Sequence, residues 1–232
     1  MDKKILLVWM CLLTFLAGAL NAISIVWFAA TTVSHLTGLI SRMSIGASEL
    51  SWATFWAGFR VVLAFFLGAI VSGFITAERA FVLKKRYGCI IITIGVLLII
   101  PYFLYDNVDK IYSILIFAFV MGMQNGMVVS FKGVVVRMTH MSGNVTDLGV
   151  FIGYRLRGNK NEKGITGIVP LLALLSFFVG GVLGIILFKS ISNIVFLIMA
   201  FIYILLGILY FVARIHFVDK DFNGIPDELE KK

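Results

Sequence analysis

The sequence predicts an all-α polytopic membrane protein: six transmembrane helices in two inverted three-helix repeats, with helices broken near a repeated His motif. Three observations predict it. Of 232 residues, 60% are hydrophobic and 14% charged, where soluble domains run nearer a quarter charged. Six apolar stretches lie at about 5–30, 51–76, 88–105, 111–136, 165–188 and 192–213, each close to the roughly 20 residues a span needs. Three short patterns of the first half also recur, in order, in the second.

The first stretch, "MDKKILLVWMCLLTFLAGA", has the basic start, apolar run and small-residue end of a cleavable signal peptide. The apolar run continues to about Ala30, and its Gly18-x-x-Asn21 has a counterpart deep in the chain, so a retained first span is expected. The third stretch is the shortest and carries Pro101 near its end, a cap or a kink. Basic residues then assign the sides. Lys3 and Lys4 precede the first span; Arg79, Lys84, Lys85 and Arg86 separate the second from the third; Arg155, Arg157, Lys160 and Lys163 separate the fourth from the fifth. The alternate loops are poorer in basic residues, with Arg42 in the first, Asp106, Asp109 and Lys110 in the third and Lys189 in the fifth. The positive-inside rule places both termini in the cytoplasm.

The net charge of +8 is thus a topology signal, and no nucleic-acid partner is expected. Cys11 and Cys89 both lie inside apolar runs and have neither metal-type spacing nor a disulfide framework.

The repeat follows from offsets. Gly18-x-x-Asn21 matches Gly122-x-x-Asn125 at 104, "HLTG" (35–38) matches "HMSG" (140–143) at 105, and "FFLG" (65–68) matches "FFVG" (177–180) at 112. Residues 1–106 form the first three-span unit and 107–218 the second. Because three is odd, the second copy enters the membrane inverted, an arrangement common in secondary transporters.

In each copy a long apolar helix carries one Asn, and about four turns later come His, then Thr or Ser, then Gly. Thr37 and Ser142 are good N-cap residues, and Gly38 and Gly143 allow close backbone approach. The chain is expected to break there and restart as a short helix whose first N–H groups carry partial positive charge. Such breaks are tolerated in a membrane only where protein or a water-filled cavity covers them. The simpler alternative is an interfacial loop, with Asn21 and Asn125 as hydrogen-bond glue between helices. The second copy is richer in polar residues, with Gln124, Arg137, Asn144 and Asp147 where the first has Leu20, Thr32, Leu39 and Arg42. Arg60 lies roughly 13 Å along the second span, with Asp147 or Glu49 as candidate partners and snorkelling to the interface as the alternative.

At "GALNA", "VSHLTG", "GMQNG" and above all "THMSGNVTDLGVFIG" (139–153), the chain resembles the YoaK-type family of bacterial multipass membrane proteins, catalogued as a domain of unknown function. The match runs from about residue 10 to 212. The resemblance implies a six-span protein of the bacterial inner membrane and carries over no catalytic residue.

Residues 219–232 read as a soluble tail with an EF-hand-like calcium loop. "DKDFNGIPDELE" places Asp219, Asp221 and Asn223 at ligand positions, Ile225 as a carbonyl donor, Asp227 at the ninth position and Glu230 at the twelfth, with Gly224 at the sharp turn. A weak Ca²⁺ site is expected, and no organic cofactor. A solvated acidic–basic tail is the alternative.

The leading expectation is a non-enzymatic transporter of a small anionic or polar solute or ion. Its site is formed by Asn21, His35, Thr37, Gly38, Arg60, Gln124, Asn125, Arg137, His140, Ser142, Gly143, Asn144 and Asp147. Alternatives are a metal-binding membrane enzyme or metal transporter using His35, His140 and Asp147, and a non-catalytic scaffold with a calcium-binding tail. The lipid bilayer is the expected surrounding, and a homo-oligomer is compatible with the sequence. No Walker motif, nucleophile elbow or glycine fingerprint supports ATPase, hydrolase or dehydrogenase chemistry.

Overall fold

The computed structural model describes residues 3–28, 32–76, 85–106, 109–127, 129–131, 134–136, 138–159 and 163–217. The described chain is helical apart from one small hairpin. In chain order it forms α1 (Lys3–Trp27), α2 (Leu36–Ser48), α3 (Trp52–Thr76), α4 (Lys85–Leu97), α5 (Ile100–Leu104), α6 (Lys110–Gly126), β1 (Val129–Phe131), β2 (Val134–Val136), α7 (Met141–Leu156), α8 (Ile165–Ile191) and α9 (Ile194–Phe217). Five segments are long and apolar enough to cross a bilayer: Leu7–Trp27, Trp52–Thr76, Arg86–Leu104, Ile165–Ile191 and Ile194–Ile215.

The expected fourth span, 111–136, is the main departure. Its helix stops at Gly126 after 17 residues, about 25 Å of rise. The chain then forms an antiparallel pair in which Val129 faces Val136 and Phe131 faces Val134. The β-branched run Val134–Val136 suits a pleated strand better than a helix, and hydropathy alone does not distinguish the two. The third span is likewise divided. Helix α4 ends at Leu97, and Pro101 sits in the first turn of α5, where its missing N–H costs nothing.

Helices α1, α4, α6 and α9 supply most of the core. Leu13, Leu20, Ile91, Ile94, Phe117, Met121, Phe196 and Tyr203 are all fully buried there. Helices α3 and α8 lie outside them and present large apolar side chains outward, with Phe74 86% and Phe178 69% exposed. Lipid solvates such a surface, so exposure carries no penalty there.

Packing partners repeat between the halves. Helix α1 packs on α8 and α6 on α3; α2 packs on α3 and α7 on α8; α4 packs on α9. Exchanging α1 with α6, α2 with α7, α3 with α8 and α4 with α9 leaves that set of pairs unchanged. The agreement extends to single residues. A methyl group on Gly18 would collide with the Phe177 backbone, and one on Gly180 with the Phe15 backbone. One on Gly122 would collide with Phe65, and one on Gly68 with Phe119. These four glycines bring two helix pairs into backbone contact at the positions where the sequence repeat aligns them, as small residues do between membrane helices. At the α4–α9 crossing, Gly95 faces Ala200 and Ile204 while Gly207 faces Gly88 and Ile92.

Candidate functional site

Each long helix of the repeat ends and hands over to a short one through a buried apolar residue, a hydroxyl and a histidine. In the first half these are Val33, Ser34 and His35; in the second, Met138, Thr139 and His140. Val33 and Met138 are almost wholly buried and fix the turn in the core. The Ser34 hydroxyl donates to the Asn21 side-chain oxygen at 2.8 Å, and the Thr139 hydroxyl to the Asn125 oxygen at 2.7 Å. The Asn125 amide donates in turn to the Met121 carbonyl at 3.0 Å. Each asparagine therefore anchors the segment that precedes its histidine, so glue and site placement are one arrangement here.

The histidines themselves are the N-cap residues of α2 and α7, with φ/ψ of −101/73 and −87/68, and neither makes a side-chain cap bond. This corrects the expectation that Thr37 and Ser142 cap. Both lie inside the first turn, because the anchored hydroxyl two positions before each helix start fixes where the helix begins. The Thr37 and Ser142 carbonyls accept from Ser41 and Thr146, each at 3.0 Å. At about 100° per residue, Ser142 falls on the face of α7 opposite the buried Asn144, and Thr37 on the face of α2 opposite the buried Leu39.

Both histidines are exposed, although Val33, Met138 and Thr139 just before them are buried. Helices α2 and α3 form a hairpin in which Gly46 abuts Phe55 and Met43 covers Gly58. The start of α2 therefore lies well along α3 rather than at its end. The His35 ring meets Phe177, near the middle of α8, edge-on at 6.2 Å, beside the Gly18 crossing. Its Nδ1 also lies 3.3 Å from the Ser34 hydroxyl. The His140 ring folds back over its own helix, with Nδ1 2.5 Å from where a Gly143 Cβ would stand, whereas Gly38 has open space. Burial lowers the His35 pKa and His140 lowers it further.

Other expected residues are placed elsewhere. Gln124 is fully buried: its amide donates to the Leu13 carbonyl at 2.9 Å and to the Met138 sulfur at 3.5 Å, and its oxygen accepts from Tyr203 at 2.7 Å. Those bonds tie α1, α6 and α9 together. Arg60 is exposed on a ridge of α3 with Trp56, Leu63 and Leu67, and among the described residues no ion pair joins it to Glu49 or Asp147. Asp147 is exposed on α7, about two turns beyond His140. Arg137 and the calcium-loop residues Asp219, Asp221, Asn223, Ile225, Asp227 and Glu230 lie outside the described residues.

Among the described residues no group of three or more His, Cys, Asp or Glu side chains could hold a metal, so His35, His140 and Asp147 are not assembled as a ligand set. An open groove of about 490 Å³ runs between α4, α5 and α6, lined by Leu97, Leu104, Tyr112, Leu115, Ile116 and Phe119. It is apolar and includes none of the expected site residues.

Sequence reading missed Ser34, Thr139 and Phe177, although a hydroxyl residue precedes the histidine in both "VSHLTG" and "THMSG". It also missed Arg214, which is 1% exposed inside α9 within electrostatic reach of Tyr210. Ending the sixth span at 213 left this arginine just outside it.

No curated protein and no solved structure matches the chain. Residues 9–209 match the model of the family described as protein of unknown function DUF1275, and the chain belongs to that family.

Proposed function

We propose that the protein transports a small anionic or polar solute across the bacterial inner membrane, through a site where its two broken helices converge. The observation that supports this reading is the paired anchor: Asn21–Ser34–His35 and Asn125–Thr139–His140 are built alike, each tying a histidine at a helix start to the preceding long helix. In this reading residues 1–106 and 107–218 are inverted repeats. Helix α6 with its hairpin completes a sixth span, and both termini face the cytoplasm. The exchange of packing partners between halves supports the inversion. A helix start in each repeat supplies partial positive charge, which suits an anion or a polar oxygen. Two breaks that are costly in lipid are well accounted for by a path that solute occupies.

Transport requires that the site open to each side in turn. The test uses Gly38→Cys, placed in open space beside His35, in a Cys11→Ser/Cys89→Ser background. Membrane-impermeant thiosulfonate applied to right-side-out and inverted vesicles labels it from both sides if the reading holds. Labelling from one side only, or from neither, contradicts it.

The tail is an accessory in this account and holds Ca²⁺ weakly through Asp219, Asp221, Asn223, Asp227 and Glu230. Calorimetric titration of the full chain with Ca²⁺ gives binding that Asp219→Ala and Glu230→Gln together abolish. An unchanged heat in that variant removes the tail site.

A further inference from the structure

We infer that Arg60 holds the phosphate of a bilayer phospholipid, in the leaflet at the Trp52 end of α3. The inference does not depend on the transport reading.

The depth and direction of the side chain carry it. Arg60 lies about 12 Å along the axis of α3 from Trp52 and about 24 Å from Thr76. Trp52 and Trp56 are 56% and 48% exposed, as tryptophans are where a helix passes the headgroup region. The backbone of Arg60 therefore lies in the hydrocarbon of that leaflet, on a surface that lipid solvates. Side chains of a helix lean toward its N-terminus, so the guanidinium runs back toward Trp52 and the headgroups, not toward the bilayer centre.

The surface along that route suits a headgroup. Trp52, Phe55, Trp56 and Phe59 form a continuous wall, with successive ring centroids 6.0, 5.4 and 5.3 Å apart and each pair edge to face. Beside this wall stand Ala57 and Ala53, about one and two turns before Arg60, both exposed and both small. They leave room next to Trp56 for a guanidinium and the oxygens it binds.

Arg60 faces away from the helices that pack on α3. The contacts with α2 and α6 run through Gly58 and Phe65, and at about 100° per residue Arg60 falls on the opposite side from both. Among the described residues it has no hydrogen bond and no ion pair. A charge at that depth is costly without a partner. The planar guanidinium offers paired donors that match two phosphate oxygens, and the bilayer supplies that group where the side chain reaches. The architecture itself does not require the charge. The offset that aligns "FFLG" with "FFVG" places Leu172 at the position of Arg60 and Ile168 at that of Trp56, on a helix that crosses its partner at the equivalent glycine.

The test is native mass spectrometry of the full chain in maltoside micelles, which contain no phosphate, titrated with phosphatidylglycerol. The wild type holds the lipid, and Arg60→Leu, which installs the residue α8 carries, weakens binding roughly tenfold. Arg60→Gln serves if the leucine variant is not recovered folded. Arg60→Lys keeps the charge without the paired donors and falls between. Diacylglycerol, with the same chains and no phosphate, binds the wild type and Arg60→Leu alike. Equal binding of phosphatidylglycerol by the wild type and Arg60→Leu overturns the inference and leaves an arginine that reaches only to water. An equal loss of diacylglycerol in Arg60→Leu overturns it as well, because the effect then lies in the acyl chains. Loss of a dimeric mass in Arg60→Leu with lipid binding unchanged also overturns it, since a second copy then covers the ridge.

Discussion

The Thr139 hydroxyl donates to the Asn125 side-chain oxygen across 2.7 Å, and Ser34 does the same to Asn21 across 2.8 Å in the other half of the chain. The two bonds span 14 and 13 residues of sequence and join a helix to the loop that follows it. They set where α7 and α2 begin, and through that the positions of His140 and His35.

Removing the donor tests the anchor. Thr139→Val leaves the Asn125 oxygen without its partner and costs about 1 kcal/mol, since hydrogen bonds between membrane helices average near 0.6 kcal/mol and an unsatisfied group adds to the loss. Thr139→Ser retains the hydroxyl and recovers most of it. Thermal unfolding in detergent compares the three proteins. Equal midpoints for the valine and serine variants would remove the anchor from the account.

The glycine crossings make a paired prediction. Gly18→Ala and Gly122→Ala each force two backbones apart, at about 1–3 kcal/mol for overpacking. The two costs should match, because the crossings match. Gly73→Ala, whose methyl enters open space on the same helix as Gly68, is near neutral. A large effect at Gly73, or a large effect at one of the paired sites alone, contradicts the equivalence of the crossings.

Gln124 and Tyr203 are where the halves differ most in the core. The repeat aligns them with Leu20 and Ile91, so an apolar pair already fills the equivalent place. Tyr203→Phe strips the Gln124 oxygen of its donor and costs about 1–3 kcal/mol. Adding Gln124→Leu removes the orphaned amide and recovers part of that loss. A double-mutant cycle measures the coupling, and strict additivity of the two losses would show that the bond contributes nothing.

Acid stability follows from His35. Burial, and then His140, lower its pKa below the ordinary 6.5, so the folded chain binds that proton less tightly than the unfolded chain does. This contribution is fully present above 6.5 and is lost as the pH falls below it. Melting temperatures taken between about pH 7.5 and 5 decline in the wild type. They decline less in His35→Gln; an identical acid limb in both proteins contradicts the assignment.

Much of this was legible in the chain because it is local. Apolar stretches of about 25 residues became α1, α3, α8 and α9 nearly as bounded, since length and hydropathy alone decide such helices in lipid. The offsets at Gly18/Gly122 and at "FFLG"/"FFVG" pointed to real crossings. That Gly18 meets Phe177 rather than a neighbour in its own half is a long-range fact that no local pattern carries. The helix starts were misplaced by two residues because a tertiary bond, Ser34 to Asn21, outweighed the cap preference of Thr37. The hairpin after Gly126 was missed because "VVSFKGVVV" has the hydropathy of a span and the branching of a strand. Gln124 stood out because polarity in an apolar helix signals cost, and Leu13 and Tyr203 meet that cost in the fold, which no local pattern shows.

The measurement that tests the convergence of the two breaks most directly is a cross-link. His35→Cys and His140→Cys in the Cys11→Ser/Cys89→Ser background, treated in native membranes with a short bifunctional thiosulfonate, should join within one chain. Cleavage of the polypeptide between the two positions would then leave the fragments linked until reduction. If both thiols react singly and no intramolecular link forms, the breaks lie apart, and the shared site is wrong.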